Sequence, residues 1–299
     1  MHSDLVERGW TEEHWNRITS AVTEEAQKAR VAAQMLPLVG PEDPSTVAVP
    51  GFSLGRDANP SAPPASRLKV DSRPTLYLTT LAANVQLRSH EVADPTLKAA
   101  LGMFRRAANY IARVEDYLVF NGRDKPKAAA PSPAPKGAKS PLMDVVTANC
   151  DGEAELEGLV GSAGQLQLKV DAKPTGNRLV KAIVEAIGKL DAEGQQAPYA
   201  VALSQNFFAE ICNPNDNNLI LPRDRILPFL QGPLLRASAI PDNYGVVMSL
   251  SANALELVVG SDLSVRYLQT TPEPRYVFRV CERVALRIRE PDAICILHT

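Results

Sequence analysis

The first stretch that could do chemistry is GFSLG, residues 51–55, which matches the G-x-S-x-G nucleophile motif of serine hydrolases. In that motif a strand-to-helix turn exposes the serine beside an oxyanion-binding amide. Here the following residues are RDANPSAPPAS, which cannot form the required helix. The later histidines, His90 and His298, stand in no obvious triad context. The sequence therefore predicts no catalytic residue, and a hydrolase using Ser53 is the least favoured alternative.

Phosphate-binding and metal-binding patterns are equally weak. A glycine run at Gly158, Gly161 and Gly164 is not followed by a helix N-terminus that could hold a phosphate, so it predicts a turn. The histidines show no metal-ligand spacing with one another or with cysteine; they are His2, His14, His90 and His298. We therefore predict no metal site.

Arginines at odd-numbered positions near the C-terminus could contact phosphate; they are Arg279, Arg283, Arg287 and Arg289. No aromatic residues are interleaved with them, and the whole chain has a formal net charge of -2. Such a pattern favours a solvated or salt-bridged strand face. The sequence therefore predicts no specific nucleic-acid partner.

The composition is that of an ordinary globular protein, with 299 residues, 45% hydrophobic and 22% charged. The four cysteines lie far apart without a CxxC pair and are expected to be buried free thiols in a reducing compartment. The sequence shows no signal-peptide pattern and no apolar run of transmembrane length. We predict a cytoplasmic protein without a membrane partner.

Two amphipathic helices are expected in the first 122 residues. Thr11 suits the N-cap of the first helix, where Trp10 can pack on Trp15 across the cap. The second is a long spine helix, for which Asp94 is the expected N-cap and Gly122 the stop signal. Its apolar residues recur at helical spacing over about seven turns.

Residues 41–74 lie between these helices and contain many prolines and glycines but no helical apolar face. A stretch of this length without a packed element is unusual inside a compact domain. Strand-like residues flank it, so we predict an extended two-stranded arm. Since the arm cannot bury its own apolar residues, it needs a neighbouring chain.

Residues 123–141 form a second irregular stretch, rich in proline, alanine and lysine, and are predicted to be a mobile surface insert. Beyond it, residues 177–190 predict a helix, and PYAVALS and QNFFAEIC predict a buried strand and a short helix. Residues 276–290 alternate apolar and arginine side chains, as in a long half-buried strand, except where Glu282 interrupts the apolar positions. The fold class is therefore α+β.

With the elements in this order, the sequence resembles the encapsulin shell proteins, the linocin-like bacteriocin family, which share the fold of tailed-phage major capsid proteins. The stretches that carry the resemblance are GWTEEHWNRI, VEDYLVFNG, APYAVALS, GSDLSVRY and REPDAICIL. Each is short, but their order and spacing agree with the family over nearly the whole chain.

The resemblance implies a phage-capsid-like fold with an N-terminal helix, an extended arm, a peripheral domain and an axial domain. Their expected ranges are 1–40 for the helix, 41–80 for the arm, 81–176 with 241–299 for the peripheral domain, and 177–240 for the axial domain. The insert is then expected to be mobile over 123–148.

It further implies the subunit of an icosahedral nanocompartment that packages cargo enzymes of the ferritin-like or peroxidase type and is not itself an enzyme. Its partners would be copies of itself and a C-terminal targeting peptide of the cargo. Carried over from the family, an inward-facing apolar groove for that peptide would be lined by Val22, Ala26, Leu263 and Val265.

Two departures qualify this expectation. The segment AAQMLPL after the first helix lacks the charged pair found in many relatives, so the cargo peptide is expected to differ. His90 stands where some relatives carry a flavin-associated tryptophan, so no cofactor is predicted. The main alternative is a prophage major capsid protein that encloses DNA.

Overall fold

The computed structural model describes residues 10–58, 66–72, 75–122, 142–150, 157–162, 165–214, 220–251 and 254–299. Its helices are α1 (Glu12–Ala29), α2 (Ala32–Met35), α3 (Ser89–Val92), α4 (Lys98–Asn121), α5 (Gly176–Ala192), α6 (Gln205–Cys212) and α7 (Pro222–Leu230). Its first strands are β1 (Leu38–Val39), β2 (Ala48–Val49), β3 (Phe52–Ala58), β4 (Ser66–Ser72), β5 (Leu76–Tyr77), β6 (Thr79–Arg88) and β7 (Val146–Cys150). The others are β8 (Leu166–Lys169), β9 (Tyr199–Leu203), β10 (Gln231–Arg236), β11 (Tyr244–Ser249), β12 (Leu255–Thr270), β13 (Arg275–Ile288) and β14 (Ile294–His298).

The larger sheet has the order β1-β12-β13-β6-β7. Strand β1 runs parallel to β12, and the other neighbours are antiparallel. The expected alternation in β13 is confirmed, because even-numbered residues such as Phe278, Val280 and Val284 enter the main core, where α1 and α4 also pack. Ala285, with the opposite parity, packs on the other face with Val49 of β2.

The start of α1 follows the predicted cap. Thr11 accepts a hydrogen bond from the backbone N–H of His14, and the ring of Trp10 lies 5.3 Å from that of Trp15. The ring of Trp10 also stacks on Phe278 at 5.1 Å between centroids. The indole N–H of Trp10 donates to the carbonyl of Val92 at 2.7 Å. The cap therefore fixes α1 to the sheet.

The spine helix α4 begins three residues later than a helix with Pro95 as its first residue would. The carboxylate of Asp94 accepts from the backbone N–H groups of Thr96 and Lys98, which forms a turn. Leu97 then takes a left-handed backbone conformation with φ 53° and is fully buried. The predicted stop is confirmed, since Gly122 follows the last helical residue with φ 72°.

The second sheet has the order β10-β9-β11-β14-β8 and packs against α5, α6 and α7 around a separate core. Its membership differs from the predicted division of the chain. Strands β8, β11 and β14 come from ranges assigned to the peripheral domain, yet they pair beside β9, which comes from the axial range. The reason is long-range pairing of apolar strands, such as Val247 of β11 with Cys295 of β14, which local pattern does not encode.

The predicted two-stranded arm is present among the described residues. Strands β3 and β4 pair antiparallel, from Phe52 opposite Ser72 to Ala58 opposite Ser66, and β2 pairs with β5 at its base. The β3–β4 sheet has only these two strands in the part of the chain that the structure describes.

The range given for the insert needs a correction at its C-terminal end. Most of it, residues 123–141, lies outside the described residues. Leu142 and Met143, however, pack against the main core, and β7 pairs with β6 from Ala148 opposite Leu81 to Val146 opposite Ala83. Residues 142–148 therefore belong to the body of the protein, because their apolar side chains pack against its main core.

Candidate functional site

A cavity of about 350 Å³ lies between the C-terminal half of α1, the segment that includes β1, and strand β12. Most of its wall is apolar, with Ala26, Ala33, Leu38, Val39, Leu257, Val259, Leu263 and Val284. The polar side chains of the lining are Thr23, Gln27, Arg30, Gln34, Glu115 and Asp262. Gly40 and Pro41 complete the lining. The cavity is therefore an apolar groove with a charged floor.

Two of the four residues predicted for the groove line this cavity, namely Ala26 and Leu263. Val22 is fully buried one turn earlier in α1 and belongs to the main core. Val265 is half-buried and packs against the same core without reaching the cavity wall. The structure thus brings two of the four residues together at one cavity, which lies toward the C-terminal end of α1.

Strand β1 forms one lip of the cavity. Leu38 is 55% exposed there, which is unusual for a leucine in an otherwise apolar wall. The chain leaves β1 at Gly40, with φ +123°, and a Cβ at this position would lie 2.2 Å from the carbonyl oxygen of Val259. Glycine is required because only it allows both this conformation and this approach.

The floor of the groove holds a cluster of charged side chains that join four elements. Nε of Arg30, at the end of α1, lies 2.7 Å from Oε2 of Glu115 in α4. The same guanidinium contacts Glu282 of β13 and lies 3.9 Å from Oδ1 of Asp262 in β12. Glu115 and Glu282 are each only 1% exposed, whereas Asp262 lies on the rim. We call these four residues the groove-floor cluster.

Asp116 extends the charged floor to α2. Its carboxylate accepts hydrogen bonds from the backbone N–H of Val31 at 3.0 Å and of Ala32 at 2.8 Å. These are the unpaired donors at the start of α2. The carboxylate therefore positions the segment that carries the chain from α1 into β1.

Burial changes the protonation of these carboxyl groups. It raises the pKa of Glu115, although Arg30 opposes the shift, and raises the pKa of Glu282 well above its usual range, assisted by the neighbouring charge of Glu115. It also raises the pKa of Asp116 to about 7, against the two backbone hydrogen bonds. In each case removal from water disfavours the charged form.

The sequence contained one signal for this cluster. Glu282 interrupts the apolar positions of β13, and it does so because its side chain faces Arg30 on the core side of the sheet. Arg30 and Glu115 carried no comparable signal, since charged residues at a helix end or within a helix are ordinary. Their juxtaposition depends on how α1 crosses α4.

The other motifs do not form sites in the described structure. Ser53 lies within β3 opposite Asp71, and the strand continues to Ala58, so a hairpin stands where a hydrolase would need a strand-to-helix turn. Gly158 lies at a turn beside the end of α4, where a Cβ would meet the amide of Gly122 at 2.2 Å. Among the described residues, no group of histidine, cysteine, aspartate and glutamate could hold a metal ion.

The arginine stripe is partly salt-bridged, as its pattern favoured. Both Arg287 and Arg289 lie 2.8 Å from Oε2 of Glu256, which is buried in β12. Arg279 donates to the side-chain oxygen of Asn84, and Arg283 to the carbonyl of Pro44.

Two further expectations concern the cysteines and membranes. The cysteines are free, but only Cys295 is buried, and the other three are half-buried. In the described ranges, no helix combines the length and the apolar character needed to cross a membrane.

Comparisons with known proteins agree with this fold. The family model described as "Encapsulating protein for peroxidase" matches residues 9–139 and 144–285. The "Type 1 encapsulin shell protein EncA" of Myxococcus xanthus is 26% identical, over 96% of this chain and 93% of its own length.

Two solved structures show the same fold. A virus-like particle from Pyrococcus furiosus superposes with a TM-score of 0.67 at 14% identity, over 96% of this chain and all of that chain. The capsid of the Myoviridae phage XM1 superposes with a TM-score of 0.57 at 14% identity, over 88% of this chain and 89% of that chain. With the family model covering most of its length, the chain belongs to the encapsulin shell protein family and is a self-assembling shell subunit with the phage-capsid fold.

Proposed function

We propose that the shell built from this subunit packages a cargo enzyme by holding a C-terminal targeting peptide of that enzyme in the groove between α1 and β12. The observation that carries the proposal is the cavity itself, with its mostly apolar wall and a volume of about 350 Å³. Grooves of this kind bind peptides through a few aliphatic anchors. This volume is enough for two or three such side chains, each of which contributes about 1.5 to 3 kcal/mol when fully buried.

The arm supports the closed assembly that packaging requires. Val70 of β4 is 64% exposed, and the β3–β4 hairpin has no third strand within the described part of the chain. A two-stranded hairpin is at best marginally stable alone. We infer that another copy of the chain covers it, that the copies close into an icosahedral shell in the cytoplasm, and that the chain itself catalyses no reaction.

Packaging can be tested with a fluorescent protein that carries the C-terminal tail of the enzyme encoded beside the shell gene. We expect co-purification of the fluorescence with hollow particles, and loss of the fluorescence when the tail is removed. Leu263→Asp should abolish packaging because it places a charge on the apolar wall. Leu268→Asp is the matched control, since Leu268 lies on the same strand but is exposed and outside the cavity.

Two outcomes would contradict the proposal. Equal packaging with and without the tail would exclude the peptide mechanism. Particles that protect DNA from nuclease and carry no enzyme would favour the alternative of a prophage capsid. Electron microscopy of the Leu263→Asp particles separates a packaging defect from an assembly defect.

A further inference from the structure

The groove-floor cluster contains more negative than positive groups. One guanidinium, that of Arg30, faces two carboxyl groups that are both 1% exposed, Glu115 and Glu282. Among the described residues, neither side-chain oxygen of Glu115 has a hydrogen-bond partner, and nor does Oε1 of Glu282. One guanidinium can balance the charge of only one ionised carboxylate, so a second ionised carboxylate would remain buried without compensation.

Among the described residues, four packed elements bring charged groups to the groove-floor cluster. Helix α1 contributes Arg30, α4 contributes Glu115 and Asp116, β12 contributes Asp262 and β13 contributes Glu282. Asp262 and Asp116 are themselves carboxyl groups, so neither adds positive charge. Within the part of the chain that the structure describes, Arg30 is the one cation at the cluster, and a proton is what would neutralise the second buried glutamate.

We propose that one of the two carboxyl groups, Glu115 or Glu282, carries a proton beside Arg30, and that this proton keeps the floor of the groove packed at neutral pH. When the proton is lost, a buried negative charge remains beside an open cavity. The charge is relieved if Arg30 or Glu115 moves toward the cavity and water enters. The end of α1, α2 and β1 then loosen, and the wall that Ala33, Leu38 and Val39 supply changes shape.

The direction of the pH dependence follows from burial. Burial raises the pKa of both glutamates, so the folded protein binds protons more tightly than the unfolded chain does. Their contribution to stability is therefore complete below the usual glutamate pKa of about 4.3 and is lost as pH rises through the raised values. The groove should be most ordered in mildly acidic solution and loosen on the alkaline side.

The test is hydrogen exchange of assembled particles between pH 6 and pH 9, with rates corrected for the intrinsic effect of pH. We expect opening of residues 31–40 to increase about tenfold or more, a change of about 1.4 kcal/mol in opening free energy, while β9 and β11 stay unchanged. Glu282→Gln should abolish the increase, because the neutral amide leaves Glu115 as the one buried carboxyl group that faces Arg30. Glu256→Gln, the same substitution in a buried cluster with two arginines, is the matched control and should retain it.

A second measurement uses the unaltered particle in case the variants do not assemble. Infrared spectroscopy at pH 7 should show the carbonyl band of a protonated, water-excluded carboxylic acid, which disappears as the pH rises. The inference is overturned if this band is absent at pH 7, if opening of residues 31–40 does not change with pH, or if Glu282→Gln retains the full pH dependence.

Discussion

The paired strands β12 and β13 carry a buried ion cluster on each of their two faces, and the clusters have opposite charge ratios. On the core face, one guanidinium from Arg30 meets the carboxyl groups of Glu115 and Glu282. On the other face, the carboxylate of Glu256 meets two guanidiniums, those of Arg287 and Arg289. We call this second set the Glu256 cluster.

The two clusters also serve different parts of the shell subunit. The groove-floor cluster fixes the end of α1 and the cavity beside it. In the Glu256 cluster, the guanidinium of Arg289 lies 4.7 Å from the ring centroid of Phe52, at the base of the arm, and its carbonyl accepts from the amide of Leu54 at 2.8 Å. The difference teaches that, under the proposal above, charge ratio separates a cluster whose excess carboxyl group takes up a proton from one in which guanidinium groups are in excess.

The largest effect is expected from Arg30→Met, which removes the only positive charge of the groove-floor cluster. Leaving buried carboxylates without their partner should cost about 3 to 5 kcal/mol at neutral pH. The loss should shrink toward pH 5, because the glutamates can then take up protons. Thermal unfolding of purified particles across this range measures it. Arg17→Met, at an exposed position of α1, is the control, and a loss that did not vary with pH would contradict the prediction.

A smaller loss is expected from Glu256→Gln in the other cluster, about 2 kcal/mol. The two arginines that it leaves behind are 11% and 18% exposed, so water can reach them more readily than it reaches Glu115 or Glu282. The same unfolding measurement applies. A loss equal to that of Arg30→Met would show that burial alone, and not charge ratio, determines the energies of both clusters.

Asp116→Asn should change mainly the pH profile. Because the pKa of Asp116 is raised to about 7 by burial, its stabilisation is present below the usual aspartate value of about 3.9 and is lost as pH rises through about 7. The variant should therefore lose less unfolding free energy than the unaltered protein between pH 5 and pH 8, by about 1 kcal/mol at the alkaline end. Unfolding temperatures measured across this range should show the same flatter profile. An unchanged slope would mean that the backbone hydrogen bonds keep Asp116 ionised throughout.

The extent to which sequence predicted these features depends on the range of the interactions. Local signals such as the Thr11 cap, the Gly122 stop and the alternation of β13 identified elements that the structure confirms. The start of α4 was missed because Leu97, which is fully buried, adopts a left-handed conformation that local pattern does not predict. Local pattern could not reveal the pairing of β8 with β14.

The groove shows the same limit. The resemblance predicts a peptide groove between the first helix and the strand that contains Leu263, and the structure has a cavity there that Ala26 and Leu263 line. Val22 and Val265 do not, because the crossing of α1 over the sheet turns Val22 into the core. Glu282 was visible as an irregularity, yet its meaning required the position of Arg30, which lies more than 250 residues earlier in the chain.

The smallest effect is expected from Arg289→Lys, which keeps the charge near Glu256 but removes the planar group above Phe52. Subunit stability should fall by only about 0.5 to 1 kcal/mol, the usual strength of an exposed cation–π contact. The local consequence should be sharper, since the amide of Leu54 donates to the carbonyl of the same residue. Faster hydrogen exchange at Leu54 without a change in residues 31–40 would show that the two faces of the strand pair act independently. Arg279→Lys is the control, because that side chain donates a hydrogen bond to Asn84 of β6 and should leave the arm unaffected. Faster exchange in both regions would instead couple the arm to the groove through β13.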